Sequence, residues 1–158
     1  MTMGAVSKTL FEEARSKSAV PRYEIGEWRE KHGVMVGVTG RLEDFDLGLA
    51  GSDSMGVVMS RWRSLRQSFG PSFSGLVVGH QSHGTSVGVY PHPIEGLLIT
   101  ENCDGHATPL GGMVLGVTVA DCVPVYLLDP QSLAIAILHA SHARAITENT
   151  RDVFGFHS

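Results

Sequence analysis

Charged residues are scarce in this chain, and no long apolar run takes their place. Only 18% of its 158 residues are charged and 42% are hydrophobic, which is typical of a folded domain and excludes a disordered segment. The longest apolar candidate, Met113–Leu128, is interrupted by Gly116, Asp121 and Pro124. No segment therefore approaches the roughly 18 residues of a membrane span, and we expect one domain without membrane association.

Basic residues and an uncharged leader are lacking as well. The net charge is -4 and the isoelectric point is near 6.0, which disfavours nucleic acid as a partner because phosphate binding needs a concentrated basic field. The first 22 residues include Lys8, Glu12 and Arg15, so they lack the uncharged core of a signal peptide. The sequence predicts a cytoplasmic protein.

Only two cysteines are present, Cys103 and Cys122, whereas histidine is abundant with eight residues. In a cytoplasmic chain a disulfide between them is disfavoured, and a free thiol or a metal ligand is favoured. The histidines indicate metal or acid-base chemistry, with ordinary surface histidines as the alternative.

Hydrophobic periodicity predicts an α+β fold with a mixed, mainly β core after residue 72 and helices packed outside it. One helix is predicted over Ser7–Lys17, and a second from Ser52 or Asp53 to about Phe69, where Gly-Pro ends it. Short aliphatic runs predict strands at Val34–Val38, Leu76–Val78, Ser86–Tyr90, Leu97–Ile99, Met113–Val119, Val123–Leu128 and Leu133–Leu138.

Three short segments each carry a metal-binding side chain at or near a strand end. They are Gly79–Thr85 with His83, Thr118–Pro124 with Cys122, and Ile137–Ala140 with His139. Two imidazoles and one thiolate suit zinc, and three protein ligands leave a fourth position for water. The residue types alone leave alternatives open, because a cysteine in an apolar strand commonly serves packing and a lone histidine is commonly a core or surface residue.

These segments resemble the laccase-domain family, also called multicopper polyphenol oxidase or purine nucleoside phosphorylase family proteins. The resemblance rests on Gln81 with His83-Gly84-Thr85, on the run from Thr118 to Val125 around Cys122, and on Leu138-His139-Ala140. Asp104-Gly105-His106-Ala107-Thr108 resembles an aspartate-containing loop of the family. The similar region spans about Trp28 to Ala140.

The resemblance implies a laccase-like fold and a zinc site whose ligands and catalytic residues are His83, Cys122 and His139. It implies purine nucleosides and phosphate as small-molecule partners, with phosphorolysis of adenosine, inosine, guanosine and methylthioadenosine and with deamination of adenosine. Copper is a second metal for this site, since its intrinsic affinity for such ligands exceeds that of zinc.

The resemblance ends after Ala140. Where the family continues with Gly-Trp-Arg-Gly, this chain has Ser141-His142-Ala143-Arg144, so the tryptophan is absent and the arginine stands one place late. We therefore expect an extension with a helix over residues 1–27, the N-terminal two-thirds of a laccase-like domain over residues 28–140, and a divergent tail over residues 141–158. Such a C-terminally incomplete domain is expected to leave the strand Leu133–Leu138 partly uncovered.

Three further residues are predicted to support the site. Asp121 is expected to orient His83 or His139 through a ring N–H group, with a turn-forming role as the alternative. His80 is expected to lie beside the ligands or at the surface, and His106 to face either the pocket or solvent.

Three other functions are alternatives to the phosphorylase hypothesis. The first is an inactive or metal-binding remnant, which the missing continuation after Ala140 favours. The second is a copper-dependent polyphenol oxidoreductase, which the absence of any His-x-His pair disfavours. The third is a hydrolase with Cys122 as nucleophile and His83 or His139 as base, which needs an accessible, metal-free thiol.

Overall fold

A computed structural model describes residues 13–40 and 45–141. The chain divides after Leu42 into two compact units, which are described separately. Within the described ranges, no helix has both the length and the apolar character needed to cross a bilayer.

In the first unit, the structure describes residues 13–40, which form a small antiparallel sheet and one short helix. Its elements are β1 (Glu13–Arg15), β2 (Tyr23–Ile25), α1 (Gly26–His32) and β3 (Gly37–Val38), with strand order β1-β2-β3. Helix α1 ends at Gly33, whose φ of 69° is the left-handed conformation that glycine adopts without a steric penalty.

The helix predicted over residues 7–17 is wrong where the structure describes it. Glu13–Arg15 forms a strand whose residues pair with β2, from Glu13 opposite Ile25 to Arg15 opposite Tyr23. The periodic signal there was short, and pairing with a neighbouring strand overrides such a weak local preference. The earlier part of the predicted helix lies outside the described residues.

Residues 45–141, the described part of the second unit, form one long helix and two sheets. The elements are α2 (Met55–Ser68), β4 (Gly75–His80), β5 (Val87–Val89), β6 (Gly96–Glu101), β7 (Gly105–Thr108), β8 (Met113–Gly116), β9 (Val123–Leu128) and β10 (Ile135–Ala140). One sheet is parallel with order β6-β4-β8, and the other is mixed with order β5-β7-β10-β9. The predicted α+β class with a mainly β core is confirmed.

Strand β10 lies inside its sheet, between β7 and β9. Leu138 is 0% exposed, Ile135 and Ile137 are half-buried, and Leu133, which precedes the strand, is 48% exposed. The side chains of Leu133–Leu138 are thus partly uncovered, as expected, although antiparallel neighbours pair with both edges of β10.

The buried core of the second unit includes residues of both β4 and α2. Strand β4 is central in its parallel sheet, and its apolar residues from Leu76 to Val78 are at most 1% exposed. Helix α2 buries Trp62, whose indole N–H donates to the Leu47 carbonyl at 3.0 Å. The Trp62 ring packs against β8 at Gly116, where an added Cβ would lie 3.2 Å from two ring carbons.

Gly116→Ala is expected to destabilise the protein by about 1–3 kcal/mol, because the new methyl group overpacks the Trp62 contact. The free energy of unfolding in urea measures this cost. Gly56→Ala in α2 is the matched control: a Cβ there meets nothing within 4 Å, so better helix propensity should raise stability by up to about 1 kcal/mol. A Gly116→Ala protein as stable as the unmodified chain would contradict this packing.

Candidate metal centre

His83, Cys122 and His139 come together from three separate segments. His83 lies in the loop after β4, Cys122 directly precedes β9, and His139 lies in β10. One ligand atom from each residue, a ring nitrogen or Sγ, lies within 4.8 Å of the other two. Ligands of one tetrahedral zinc ion stand roughly 3.3–3.8 Å apart, so small side-chain rotations would bring these atoms to that spacing.

The three side chains differ in their access to solvent. His139 is 2% exposed, Cys122 is half-buried and His83 is exposed. The two imidazole rings are tilted by 34° with their centroids 5.0 Å apart. A ligand from solvent can therefore approach on the His83 side, while His139 forms the buried side of the group.

His83 has a backbone conformation that is uncommon for a residue with a side chain. Its φ is 58°, in the left-handed region, which costs a non-glycine residue on the order of 1 kcal/mol. Both neighbours of His83 are held by one carboxylate, because Asp104 accepts hydrogen bonds from the backbone N–H groups of Ser82 and Gly84. The loop conformation that presents His83 is thus stabilised from the adjacent sheet.

Asp104 also holds His139. Asp104 is 0% exposed, and its Oδ1 lies 3.2 Å from Nδ1 of His139, while its Oδ2 accepts from the Ser82 hydroxyl at 3.1 Å. A carboxylate accepts, so Nδ1 of His139 carries the proton and Nε2 is left as the ligand nitrogen. The backbone adds a further link, as the N–H of His139 donates to the Asp104 carbonyl at 2.7 Å.

The ionisation of Asp104 suits this role. Burial raises the pKa of the carboxyl group, but hydrogen bonds from the Ser82 and Gly84 backbone, from His139 and from the Ser82 hydroxyl lower it by more. The net pKa lies below the usual aspartate value, so the group is a carboxylate at neutral pH.

Asp121, predicted to orient His83 or His139, is exposed to solvent. Asp104 occupies the Nδ1 position of His139, which was one of the two positions considered for Asp121. His80 ends β4, and its carbonyl accepts from the Cys103 N–H at 3.2 Å. The segment Asp104–Thr108, expected as a loop, is mostly strand β7. Asp104 lies in a motif that the sequence shows, but the sequence alone does not assign it this role.

His106 is a fully buried residue of β7, so its solvent-facing alternative is excluded. Its Nδ1 lies 2.9 Å from the Tyr90 hydroxyl and 3.8 Å from Sγ of Cys103, while its Nε2 is buried without a hydrogen-bond partner. Burial lowers the pKa of His106 to about 4, against an opposing effect of the Asp104 charge. Cys103, expected in a polar loop, is buried beside it.

Acid is expected to destabilise the protein through His106. Its pKa is about 4 in the folded chain and about 6.5 in an unfolded one, so the unfolded state binds the extra proton between these values. The contribution of His106 to the free energy of unfolding is fully present above pH 6.5. It decreases as the pH falls, by about 2 kcal/mol between pH 7 and pH 5. Urea unfolding at both pH values measures the loss.

His106→Gln should reduce that difference between pH 7 and pH 5, whereas His92→Gln, at an exposed position, should leave it unchanged. Equal acid sensitivity of the unmodified chain and the His106→Gln variant would contradict a buried neutral imidazole.

One protein family and several curated proteins are similar to this chain. The family described as multi-copper polyphenol oxidoreductase laccase matches residues 29–152. Among curated relatives, the chain is 34% identical over 96 residues to adenosine deaminase RL5 from an unknown prokaryotic organism, covering 57% of this chain and 36% of that protein. It is 36% identical over 98 residues to a purine nucleoside phosphorylase of Streptomyces coelicolor, covering 62% and 40%. The chain thus spans about two-fifths of their length.

Solved structures show the same fold. The chain aligns with hypothetical protein YfiH from Bacillus licheniformis at a TM-score of 0.68 and 22% identity, covering 80% of this chain and 51% of that one. It aligns with YlmD from Geobacillus stearothermophilus at a TM-score of 0.66 and 22% identity, covering 82% and 53%. At this identity the likeness concerns the fold alone.

Proposed function

Because the chain belongs to the multi-copper polyphenol oxidoreductase laccase family, we propose that it is a metal-dependent enzyme of purine nucleoside cleavage and adenosine deamination. The names of its curated relatives, purine nucleoside phosphorylase and adenosine deaminase, support this substrate class. The observation that carries the proposal is the convergence of ligand atoms from His83, Cys122 and His139 within 4.8 Å.

We further propose zinc as the metal. The donor set fits, because two imidazoles and a thiolate are common zinc ligands and the Asp104 contact leaves Nε2 of His139 free. Within residues 13–40 and 45–141 this is the one group of three or more metal-binding side chains. A single site of this size does not favour laccase chemistry, which needs several coppers, and the chain has no His-x-His pair.

When bound, zinc would supply a Lewis acid and lower the pKa of a bound water. The residues of the chain would do the rest. Asp104 would keep the His139 ring in one orientation and one tautomer, and the exposed position of His83 would leave a side open for the nucleoside. Cys122, directly before β9, would complete the ligand set as a thiolate.

One observation supports a second candidate function. Cys122 lies near His139, and Asp104 contacts the far nitrogen of the His139 ring. In a cysteine hydrolase these three positions are taken by the nucleophile, the base and the carboxylate that orients the base. This mechanism would need neither a metal nor His83. Chelation and the His83→Ala substitution therefore separate the two candidates.

Adenosine incubated with the protein, zinc and phosphate is expected to give slow inosine formation, with adenine release weaker still. Ser141-His142 stands where the family has Gly-Trp, and the arginine is displaced, so the charge-assisted contact to phosphate is expected to be lost. Attack by water needs less help from that arginine. Chromatography of inosine, adenine and ribose 1-phosphate measures both reactions.

His139→Ala and a chelator should each abolish inosine formation. Brisk release of adenine and ribose 1-phosphate that depends on His139 would overturn the expected preference for deamination. Turnover that survives both chelation and His83→Ala would favour the cysteine mechanism over the metal.

A further inference from the structure

One hydrogen-bonded link joins the loop that carries His83 to the segment that carries Cys122. The side-chain amide of Gln81 donates from Nε2 to the Thr118 carbonyl at 2.8 Å, and its Oε1 accepts from the Thr118 backbone N–H at 2.7 Å. Oε1 also accepts from the Thr118 hydroxyl at 3.0 Å. Gln81 is two residues from His83, and Thr118 is four residues from Cys122.

This link begins where the backbone pairing of β4 with β8 stops. The parallel register of these strands runs from Gly75 opposite Met113 to Val78 opposite Gly116. Beyond Gly116 the Gln81 amide pairs with both the N–H and the carbonyl of Thr118, as a neighbouring strand would. A primary amide is suited to this role, because it offers one acceptor and a donor side by side.

We propose that Gln81 is a positioning residue of the metal centre, holding the Cys122 segment against the His83 loop so that the thiolate joins the two imidazoles. Asp104 holds His83 and His139, as described above, but the hydrogen bonds of its carboxylate do not include the Cys122 segment. Gln81 supplies that missing connection. The inference rests on the metal-dependent function proposed above and adds to it the residue that brings the third ligand into place.

Two substitutions at Gln81 and one at Thr118 separate the contributions of the three hydrogen bonds between these residues. Gln81→Leu removes all three hydrogen bonds. Gln81→Glu keeps the acceptor for the Thr118 N–H but sets a carboxylate oxygen against the Thr118 carbonyl. Thr118→Val is the matched control, because it removes only the hydroxyl bond and leaves both backbone bonds in place.

The test measures zinc affinity by competition with a chromophoric chelator, and thiolate coordination by the charge-transfer band of the cobalt-substituted protein. Loss of a residue that orients metal ligands typically costs 10- to 100-fold in metal affinity. We expect Gln81→Leu and Gln81→Glu to lose at least about tenfold in zinc affinity and to weaken the thiolate band, and Thr118→Val to lose much less. The thiolate band reports whether Cys122 is a ligand, and a loss of stability that leaves the protein folded would not change it.

Wild-type zinc affinity and a full thiolate band in Gln81→Glu would overturn the inference, and this variant decides if Gln81→Leu does not fold. An equal loss in Thr118→Val and Gln81→Leu would also overturn it, since the backbone bonds would then be irrelevant. If the unmodified chain takes up neither zinc nor cobalt, the metal centre itself fails. That result differs from a failure confined to the Gln81 variants.

Discussion

Replacing Cys122 with alanine is expected to remove most of the zinc from the purified protein, from about one equivalent per chain to a small fraction of it. The thiolate is the one anionic ligand of the proposed set, and its loss leaves only two neutral imidazoles. Elemental analysis of the purified variant, with protein concentration determined independently, measures the zinc content.

The second cysteine of the chain provides the control. Cys103 is buried, and its thiol donates to the Gly105 carbonyl at 3.0 Å, so Cys103→Ala removes a thiol without touching the three ligands. We expect this variant to retain its zinc. Full zinc content in Cys122→Ala would refute the assigned ligand set and would direct attention to His142, which lies outside the described residues.

Much of the sheet structure could be predicted from the sequence, because most of its strands are apolar runs ended by turns. The run Val123–Leu128 matches β9 residue for residue, and the helix predicted from Ser52 or Asp53 to about Phe69 is found as α2 at Met55–Ser68. Strand β7 was missed, since Gly105–Thr108 reads Gly-His-Ala-Thr and carries no aliphatic signal. It is a strand because β10 and β5 pair with it on both sides.

The proximity of the three candidate ligands could be predicted from the sequence, but the contacts that position them could not. His83, Cys122 and His139 stand in recognisable motifs, whereas Asp104 is 35 residues from His139 in the chain. Their contact follows from the register of β7 against β10, which places Leu138 opposite Gly105. No local period records such a pairing, so the sequence suggests an orienting role for Asp121, with a turn role as the alternative, and none for Asp104.

Replacing Asp104 with asparagine is expected to lower zinc affinity by about 10- to 100-fold while the fold is retained. The carboxylate offers one oxygen to Nδ1 of His139 and the other to the Ser82 N–H and hydroxyl groups. Asparagine has the same shape but only one oxygen. Its NH₂ group must therefore face either the His139 N–H or the Ser82 N–H, and one of the two histidine ligands loses its hydrogen-bonded support. Competition with a chromophoric chelator measures the affinity.

Asp121→Asn is the matched control, because Asp121 adjoins Cys122 in the chain but is exposed to solvent. An exposed carboxylate that is replaced by its neutral isostere should change zinc affinity by less than about threefold, since solvent and salt screen its charge. The reverse result, a large loss in Asp121→Asn and none in Asp104→Asn, would show that the aspartate beside Cys122 supports the metal. The buried Asp104 contact with His139 would then contribute only to the fold.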